Sequence, residues 1–293
     1  MDLPYLLKLL DEEPAMASSP GRRADLLAER GRVLESAGKT DAARESYLEA
    51  RALDPAHAAS VRALELLYRR ELARGHDPVV AAALAVHLGE VAAEIVREGQ
   101  DRERVDPVLP AWILAEQAGL LDGLGRVDEA RAALVRATEL APGPGVVRDA
   151  LVGHLVRHGE WTRLARSLED EAGHETDAHR AARLLFVAAR LVAVREARTV
   201  EALGLLERCL ALAPEDALVG RLALDETVRF AEELGDRAAI MRARARRLPT
   251  LTAAAAASAE RLRLAELAEA DGDVAGAASY LQEALEQSPD DPA

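Results

Sequence analysis

Residues 24–57 have the periodicity of two short helices separated by a turn. Their small and apolar residues recur at i, i+4 and i+7 in two successive segments, which places each set on one face of a helix. The first set is Leu27, Gly31 and Leu34, and the second set is Ala43, Tyr47 and Ala50. Gly38 suits the end of the first helix, and Asp54 and Pro55 suit the start of a following helix. The stretch predicts a hairpin of two antiparallel helices, with Tyr47 filling the space between them.

The same pattern returns in residues 111–144, 182–216 and 258–291. The copy at residues 182–216 has one more residue in its predicted inter-helix loop. Less regular helical stretches separate the four clear copies, at residues 58–99, 145–173 and 216–248. A lone hairpin cannot bury its apolar face, so successive hairpins must pack on one another. The sequence therefore predicts an all-α solenoid of about seven stacked helix pairs over residues 24–293. It lacks the alternating apolar pattern that is typical of strands.

The first copy resembles the tetratricopeptide repeat. Its Gly31, Ala43, Tyr47, Ala50 and Pro55 match the signature positions of that family in residue type, while Leu27 and Leu34 are apolar where aromatic residues are common. The clear copies carry the resemblance over about half of the chain, and the irregular stretches make it a degenerate, bacterial-type array. The resemblance implies a right-handed superhelix whose first helices line an inner groove. It also implies a non-enzymatic scaffold that presents this groove to a peptide or a partner domain.

The repeat pattern identifies first-helix residues that would face such a groove. These candidate partner-binding residues are Arg32, Glu35, Trp112, Phe186, Arg190 and Glu266. Trp112 has the small Ala115 and Gly119 on the same helix, which would leave room for the anchor of a partner. Packing of Trp112 between repeats is the alternative. The best-known groove of the family binds chaperone tails with lysines and asparagines. The chain has no asparagine, and its only lysines are Lys8 and Lys39, so that clamp is excluded.

Composition and charge narrow the range of partners. The 293 residues carry a formal net charge of −14 and show no basic stripe, which argues against nucleic acid as the main ligand. No stretch approaches about 18 uninterrupted apolar residues, and the N-terminus lacks the basic start of a leader, so no membrane partner is expected. Cys209 is the only cysteine and cannot form an intrachain disulfide. These features predict a cytoplasmic protein that binds protein or peptide.

The sequence carries no arrangement typical of a catalytic or cofactor site. Gly143 and Gly145 are not followed by the lysine and hydroxyl residue of a phosphate-binding loop, and no Gly-x-Ser-x-Gly turn occurs. His154 and His158 have the i, i+4 spacing of metal ligands, but no cysteine lies nearby to complete a site. We therefore expect no enzyme, no cofactor and no metal site. An enzyme with a site assembled from distant residues is the alternative.

Two further groups of residues favour structural interpretations. Cys209 occupies the small-residue position of its repeat, which predicts a buried and inert thiol. Four arginines crowd the end of one helix, where cations complement the carbonyl end of the helix dipole. They are Arg242, Arg244, Arg246 and Arg247. A solvated face is the first interpretation of this cluster, and a basic patch for an acidic partner is the second.

The two ends of the chain leave alternatives open. Residues 1–23 combine a short amphipathic stub with a flexible link, and the stub would cap the first repeat, serve as a docking peptide or belong to a disordered tail. The copy at residues 258–291 would expose its second helix, because terminal repeats usually need a polar cap. Self-association through the C-terminal repeat would cover that surface. The alternative function is a regulatory or sensor module, or a fragment of a larger multidomain enzyme or receptor.

Overall fold

The computed structural model describes residues 3–17, 19–101, 106–142, 145–213 and 217–287, and these residues form fifteen α-helices, one short 3-10 helix and no strand. The helices are α1 (Leu3–Met16), α2 (Pro20–Ser36), α3 (Thr40–Leu53), α4 (Ala58–Arg74), α5 (Pro78–Asp101), α6 (Val108–Gly123), α7 (Val127–Leu140), α8 (Val146–Arg157), α9 (Trp161–His174), α10 (Ala178–Glu196), α11 (Thr199–Leu212), α12 (Leu218–Leu234), α13 (Arg237–Arg247), α14 (Ala254–Ala270) and α15 (Val274–Gln287). The short 3-10 helix, Leu248–Thr250, follows α13.

Across the described ranges the helices after α1 follow one another as seven successive pairs, from α2/α3 to α14/α15. Each hairpin corresponds to a helix pair predicted from the sequence, including the three irregular ones. The chain divides into two compact units, residues 1–151 (unit 1) and residues 152–293 (unit 2). Within a unit, successive helices pack together, as α2 does on α3 and α14 on α15. The predicted all-α solenoid of stacked helix pairs is confirmed.

The first hairpin is held by a close contact between Gly31 and Tyr47. The Tyr47 side chain is buried, and a Cβ built at Gly31 would lie 2.5 Å from its ring carbon Cε1. The missing side chain of Gly31 therefore gives the ring its space. The Tyr47 hydroxyl donates a hydrogen bond to Glu35 at 3.0 Å, and burial together with the Glu35 carboxylate raises the pKa of Tyr47. The ring packs α3 against α2 while its polar end stays hydrogen-bonded.

Most hairpin turns place a glycine in the left-handed backbone region. Gly38, Gly125, Gly159, Gly235 and Gly272 all have φ between 67° and 82°. The α10/α11 hairpin has Ala197 at this point, with φ of 52°, and no other non-glycine residue of the described chain has a positive φ. The longer loop predicted for this copy was wrong. Helix α10 runs on to Glu196, so the extra residue lengthens the helix and not the turn.

The N-terminal segment is more helical than the sequence predicts. Helix α1 packs against α2 and buries Leu10. The link expected within residues 1–23 is short, because Pro14 lies inside α1 and α2 already begins at Pro20. The hydroxyl of Ser19 caps α2 by accepting a hydrogen bond from the Arg22 backbone N–H at 3.2 Å, and proline suits the first position of a helix.

Among the described helices, α5 is long and apolar enough to cross a membrane by length and composition alone. Its Val80, Leu84 and Leu88 are buried in a core that includes Tyr47 of α3 and Leu64 of α4. Helix α5 also packs against α6. A helix in the middle of a repeat array packs against other helices on more than one side, so it needs apolar residues on each of those sides.

Helix α5 also carries a buried histidine. His87 is 2% exposed and lies with its ring centroid 6.0 Å from that of Tyr68, edge to face. Its Nδ1 accepts a hydrogen bond from Arg51 Nη1 at 2.8 Å, and Arg51 also pairs with Glu90 at 3.0 Å. Burial and the positive charge of Arg51 lower the pKa of His87 to about 4. The imidazole is therefore neutral at physiological pH and joins α3 to α5 as a hydrogen-bond acceptor.

The arginine cluster at the end of α13 is partly buried. Arg244 Nη1 and Arg247 Nη2 lie 2.8 and 2.6 Å from Glu260 Oε2 of α14, and Glu260 is only 4% exposed. Arg244 also pairs with Glu232 of α12, and Arg247 pairs with Asp225 of α12 at 3.1 Å. The solvated-face interpretation was wrong for these two arginines. Their i, i+3 spacing puts both guanidinium groups on one side of α13, where they bind acidic residues of α12 and α14.

Candidate functional site

The first helices of three hairpins in unit 1, α2, α4 and α6, lie side by side. Glu35 of α2 pairs with Arg70 of α4, and Arg69 of α4 binds Glu116 of α6 through two hydrogen bonds of 2.5 and 2.9 Å. Helices joined by short turns are antiparallel, so these three helices run in the same direction. We call their adjacent exposed stripes the first-helix face. It comprises Asp25, Glu29, Arg32 and Ser36 on α2, Arg62, Leu66, Arg69 and Arg70 on α4, and Leu109, Trp112, Glu116 and Gly119 on α6.

Three large apolar side chains of this face are exposed to solvent. The exposed fractions are 49% for Leu66, 53% for Leu109 and 57% for Trp112. Leu66 and Trp112 each lie one turn before a member of the Arg69–Glu116 pair, which places them on neighbouring turns of α4 and α6. Leu109 precedes Trp112 by three residues and shares its side of α6. We call these three residues the Trp112 patch. Exposed aromatic and aliphatic groups that are close together are what binding partners bury.

Charged residues beside the Trp112 patch are engaged within unit 1. Arg32 pairs with Glu29, one turn earlier on α2. Glu35 is half-buried, and its carboxylate accepts a hydrogen bond from the Tyr47 hydroxyl and also binds Arg70. The predicted binding residue Glu35 therefore also joins α2 to α3 and α4. The Glu35–Arg70 pair joins α2 to α4, and the apolar side chains of the Trp112 patch remain exposed for recognition.

The other three predicted binding residues lie in unit 2. Phe186 is half-buried on α10. Arg190 is exposed on the same helix, with its Nε 3.5 Å from Glu226 of α12. Glu266 is exposed on α14 and accepts a hydrogen bond from Arg263 at 3.0 Å. The structure thus places Arg32 and Trp112 on the first-helix face of unit 1 and Glu35 half-buried beside it, whereas the remaining three belong to helices of unit 2.

Helix α4 is the part of the face that sequence reasoning missed. Residues 58–99 match the repeat pattern only weakly, so no groove residues were assigned there. A signal was available, because Arg62, Leu66 and Arg69 follow i, i+4 and i+7 and must share one side of a helix. On α6, the predicted small neighbours of Trp112 differ in exposure, since Gly119 is exposed and Ala115 is half-buried.

Reactive side chains elsewhere have structural surroundings. Cys209 is buried, and burial raises the pKa of its thiol to about 11, which keeps the nucleophilic thiolate scarce at neutral pH. The predicted buried thiol is confirmed. His154 is buried and His158 is exposed, and their ring centroids lie 4.6 Å apart. The second tryptophan, Trp161, is half-buried, with the Arg195 guanidinium 4.8 Å above its ring.

Stacked helical hairpins with an exposed first-helix face define an α-helical repeat protein. Two segments match family models of the tetratricopeptide repeat, residues 24–57 and residues 261–291. The first covers most of α2 together with α3, and the second covers most of α14 together with α15. These two segments of the chain are therefore tetratricopeptide repeats, and such repeats generally serve as scaffolds for protein–protein interaction. No curated protein matches the chain.

Several solved structures are similar to the chain at low identity. YrrB, described as a tetratricopeptide repeat protein with an unusual peptide-binding site, is 16% identical, with 69% of this chain and 94% of YrrB covered and a TM-score of 0.33. A thermophilic repeat protein of Thermus thermophilus is 18% identical, with 62% and 93% covered and a TM-score of 0.28. The TPR2AB domain of yeast Sti1, solved in complex with pHSP90, is 14% identical, with 92% of each chain covered and a TM-score of 0.29.

Proposed function

We propose that this chain is a non-enzymatic scaffold whose first-helix face binds a peptide or a partner domain through the Trp112 patch. One observation carries the proposal: Leu66, Leu109 and Trp112 are about half exposed on adjacent helices, while acidic and basic neighbours such as Arg32 and Glu35 are paired. Tryptophan at the centre of an interface is a frequent binding hot spot, because it buries a large rigid surface at low entropic cost.

Capture of partners from the native host tests this proposal. Trp112→Ala and Leu66→Ser remove exposed apolar groups from the face without disturbing a buried side chain. Leu48→Ser is the matched control, because Leu48 is 44% exposed on α3, a second helix of the same unit. We expect a partner that wild type and Leu48→Ser retain and that the two face variants lose. Equal capture by all four proteins would contradict the proposal. Arg32→Glu then tests whether the rim charge contributes.

Tryptophan fluorescence provides a direct readout for any partner that is captured. The chain has two tryptophans, and Trp161→Phe leaves Trp112 as the only indole. Burial of an exposed indole in an interface removes water from it, so its emission should shift to shorter wavelength when the partner is added. The shift should saturate with partner concentration. An unchanged emission at saturating partner would place the contact elsewhere on the array.

We also propose a cytoplasmic location for the scaffold. The support is chemical: the sequence contains a single cysteine, and its thiol is buried. A chain without disulfides is suited to a reducing compartment. Fractionation of host cells, followed by detection of the chain in the soluble and membrane fractions, tests this location. Recovery in the membrane fraction would contradict it and would direct attention to the apolar helix α5.

A further inference from the structure

Unit 2 exposes a small apolar cluster on the first helices α10 and α12. The Arg190 Nε of α10 lies 3.5 Å from the Glu226 carboxylate of α12, so these two residues mark neighbouring points on helices that run in the same direction. Val187 lies one turn before Arg190, and Leu222 lies one turn before Glu226, which brings the two apolar side chains together. Val187 is 47% exposed and Leu222 is 41% exposed. Leu218, one turn further back on α12, extends the cluster and is also exposed.

Two exposed arginines flank this apolar cluster. Arg183 lies one turn before Val187 on α10, and Arg221 lies beside Leu222 on the side of α12 that is turned away from Glu226. Neither arginine makes an ion pair with any residue that the structure describes. We call this surface the Arg183 patch. It comprises Arg183, Val187 and Arg190 on α10, with Leu218, Arg221 and Leu222 on α12.

The carboxylates nearest to the Arg183 patch are bound to other arginines. Asp225 pairs with Arg247 of α13 at 3.1 Å. Glu226 is shared by two arginines, Arg190 and Arg229. The two flanking arginines of the patch therefore keep their positive charge uncompensated, although the chain as a whole has a formal net charge of −14. Such a local excess of positive charge attracts and orients an acidic partner.

We propose that the Arg183 patch is a second binding site, which takes an acidic protein segment whose carboxylates flank aliphatic side chains. Arginine binds a carboxylate through two parallel hydrogen bonds, and the aliphatic groups of the partner would cover the apolar cluster. Protein is favoured over nucleic acid, because none of the six patch residues is aromatic and could stack on a base. Glu232 and Glu233, exposed near the end of α12, would also repel a long phosphate backbone. The site belongs to unit 2 and does not depend on the Trp112 patch.

Fluorescence anisotropy with two labelled peptide pools tests the charge requirement on the full chain. Both pools carry random leucine, isoleucine and valine positions, flanked by fixed glutamates in one pool and by glutamines in the other. The glutamate pool should bind, and added salt should weaken its binding. Arg183→Glu with Arg221→Glu should weaken it by about tenfold. Arg166→Glu with Arg242→Glu is the control, because it changes the net charge equally at exposed arginines of α9 and α13. Equal binding of the two pools, or equal binding by the two double variants, overturns the proposal.

Three further measurements with the glutamate pool test the location and the class of partner. Leu222→Ser should weaken binding, whereas Leu234→Ser should not, because Leu234 is similarly exposed but lies at the end of α12. Trp112→Ala should bind the pool like wild type. Loss of binding in Trp112→Ala, with none in the Arg183 and Arg221 double variant, overturns the proposal and places the peptide on the Trp112 patch. A labelled oligothymidylate should bind more weakly than the pool. Tighter binding of the oligothymidylate, lost in the same double variant, would assign the patch to nucleic acid and overturn the proposal.

Discussion

A single hydrogen atom at Gly31 decides how closely the first hairpin packs. Glycine inside a helix normally costs about 1 kcal/mol relative to alanine, so Gly31→Ala would stabilise α2 if only helix propensity mattered. The added methyl carbon would lie 2.5 Å from Cε1 of Tyr47, however, in a ring that is buried on all sides. We expect the overpacking to dominate and the free energy of unfolding to fall by about 1–3 kcal/mol.

Gly119→Ala is the control for that prediction. Gly119 also lies inside a helix, but a Cβ at this position meets no atom within 4 Å. Urea unfolding should therefore show a gain for Gly119→Ala of up to about 1 kcal/mol, and a loss for Gly31→Ala. If Tyr47→Leu makes room for the methyl group, the two substitutions at the Gly31–Tyr47 contact should also be non-additive. The same sign of change at both glycines would mean that the Gly31–Tyr47 contact is looser than the structure shows.

At Ala197 the opposite change, from alanine to glycine, should stabilise the chain. Five hairpin turns use glycine at positive φ, and this turn forces an alanine into the same region, with φ of 52°. The left-handed conformation costs a residue with a Cβ about 1–2 kcal/mol. Ala197→Gly should therefore raise the free energy of unfolding by about 1 kcal/mol. Ala211→Gly, at an exposed position inside α11, should lower it by a similar amount, and thermal unfolding of both variants checks the contrast.

His87 makes stability depend on pH. Its pKa is lowered from 6.5 to about 4 in the folded chain, so unfolding takes up a proton between these values. The free energy of unfolding should therefore fall as pH falls from 6.5 to about 4, by up to about 1.4 kcal/mol per pH unit. Above pH 6.5 the imidazole is neutral in both states and contributes no slope. The Arg51 guanidinium, which donates a hydrogen bond to the imidazole, opposes a positive charge on His87.

His87→Gln separates this effect from the titration of other groups. The glutamine carbonyl can still accept the hydrogen bond from Arg51, but it does not titrate. Unfolding free energies of wild type and variant should run parallel above pH 6.5. Below it, wild type should lose stability faster than the variant. Curves that stay parallel down to about pH 4 would show that His87 is protonated in the folded chain or is more accessible than its burial indicates.

At the scale of elements, three helices of unit 2 depend on one buried carboxylate. Glu260 of α14 receives Arg244 and Arg247 of α13, and both arginines also reach acidic residues of α12. Removing one member of a buried ion pair typically costs about 3–5 kcal/mol, because the remaining charges lose their partner. Glu260→Gln should therefore destabilise the chain by about 3 kcal/mol, near the low end, since the contacts to α12 remain.

Glu269→Gln is the matched control, because Glu269 lies on the same helix α14 and is exposed. It should change the free energy of unfolding by less than about 0.5 kcal/mol. Urea unfolding of the two variants, followed by circular dichroism, gives both values under the same conditions. A small and equal effect in the two variants would mean that solvent replaces the lost carboxylate easily. The arginine cluster would then be closer to the solvated face that the sequence suggested.

These elements show which parts of the structure were predictable from sequence. The hairpins were predictable, because their signals are local. Gly38 ends a helix, and Gly31 and Tyr47 are complementary in size at a fixed spacing. The contacts between hairpins were not. Arg69 and Glu116 are 47 residues apart, and no local pattern indicates that they meet. The same is true of Arg244 and Glu260, because the sequence placed the arginine cluster on a solvated face. The missing information is which stripes of neighbouring helices lie opposite each other.

The candidate site follows the same division. The periodicity of α6 was enough to put Trp112 on a first helix and to propose it as a binding residue. Its neighbour Leu66 became visible only when the Arg69–Glu116 pair fixed α4 beside α6. Conversely, Glu35 was expected to face a ligand, but its carboxylate binds Tyr47 and Arg70 within unit 1. Exposure can be inferred from one helix alone, whereas the partner of a charged group depends on the helix packed next to it.

At the scale of the whole molecule, the arrangement of contacts predicts how far the effect of a destabilising substitution extends along the chain. Within unit 1 the extensive helix contacts join helices that follow one another in the chain, from α1/α2 to α6/α7. Stability in such an array is a sum of hairpin terms and nearest-neighbour terms. Gly31→Ala should therefore speed amide hydrogen exchange most in α2 and α3, less in α4, and little in α6 and α7.

Hydrogen exchange measured by mass spectrometry on peptides from each helix checks this gradient. Val108–Leu140, which spans α6 and α7, should keep its wild-type protection in the variant. The Trp112 patch would then remain formed while the first hairpin opens, so partner binding through Trp112 should survive a substitution that lowers overall stability. An equal loss of protection from α1 to α7 would show that unit 1 opens as one cooperative block. In that case partner binding and stability would fall together, because the Trp112 patch would unfold whenever the first hairpin opens.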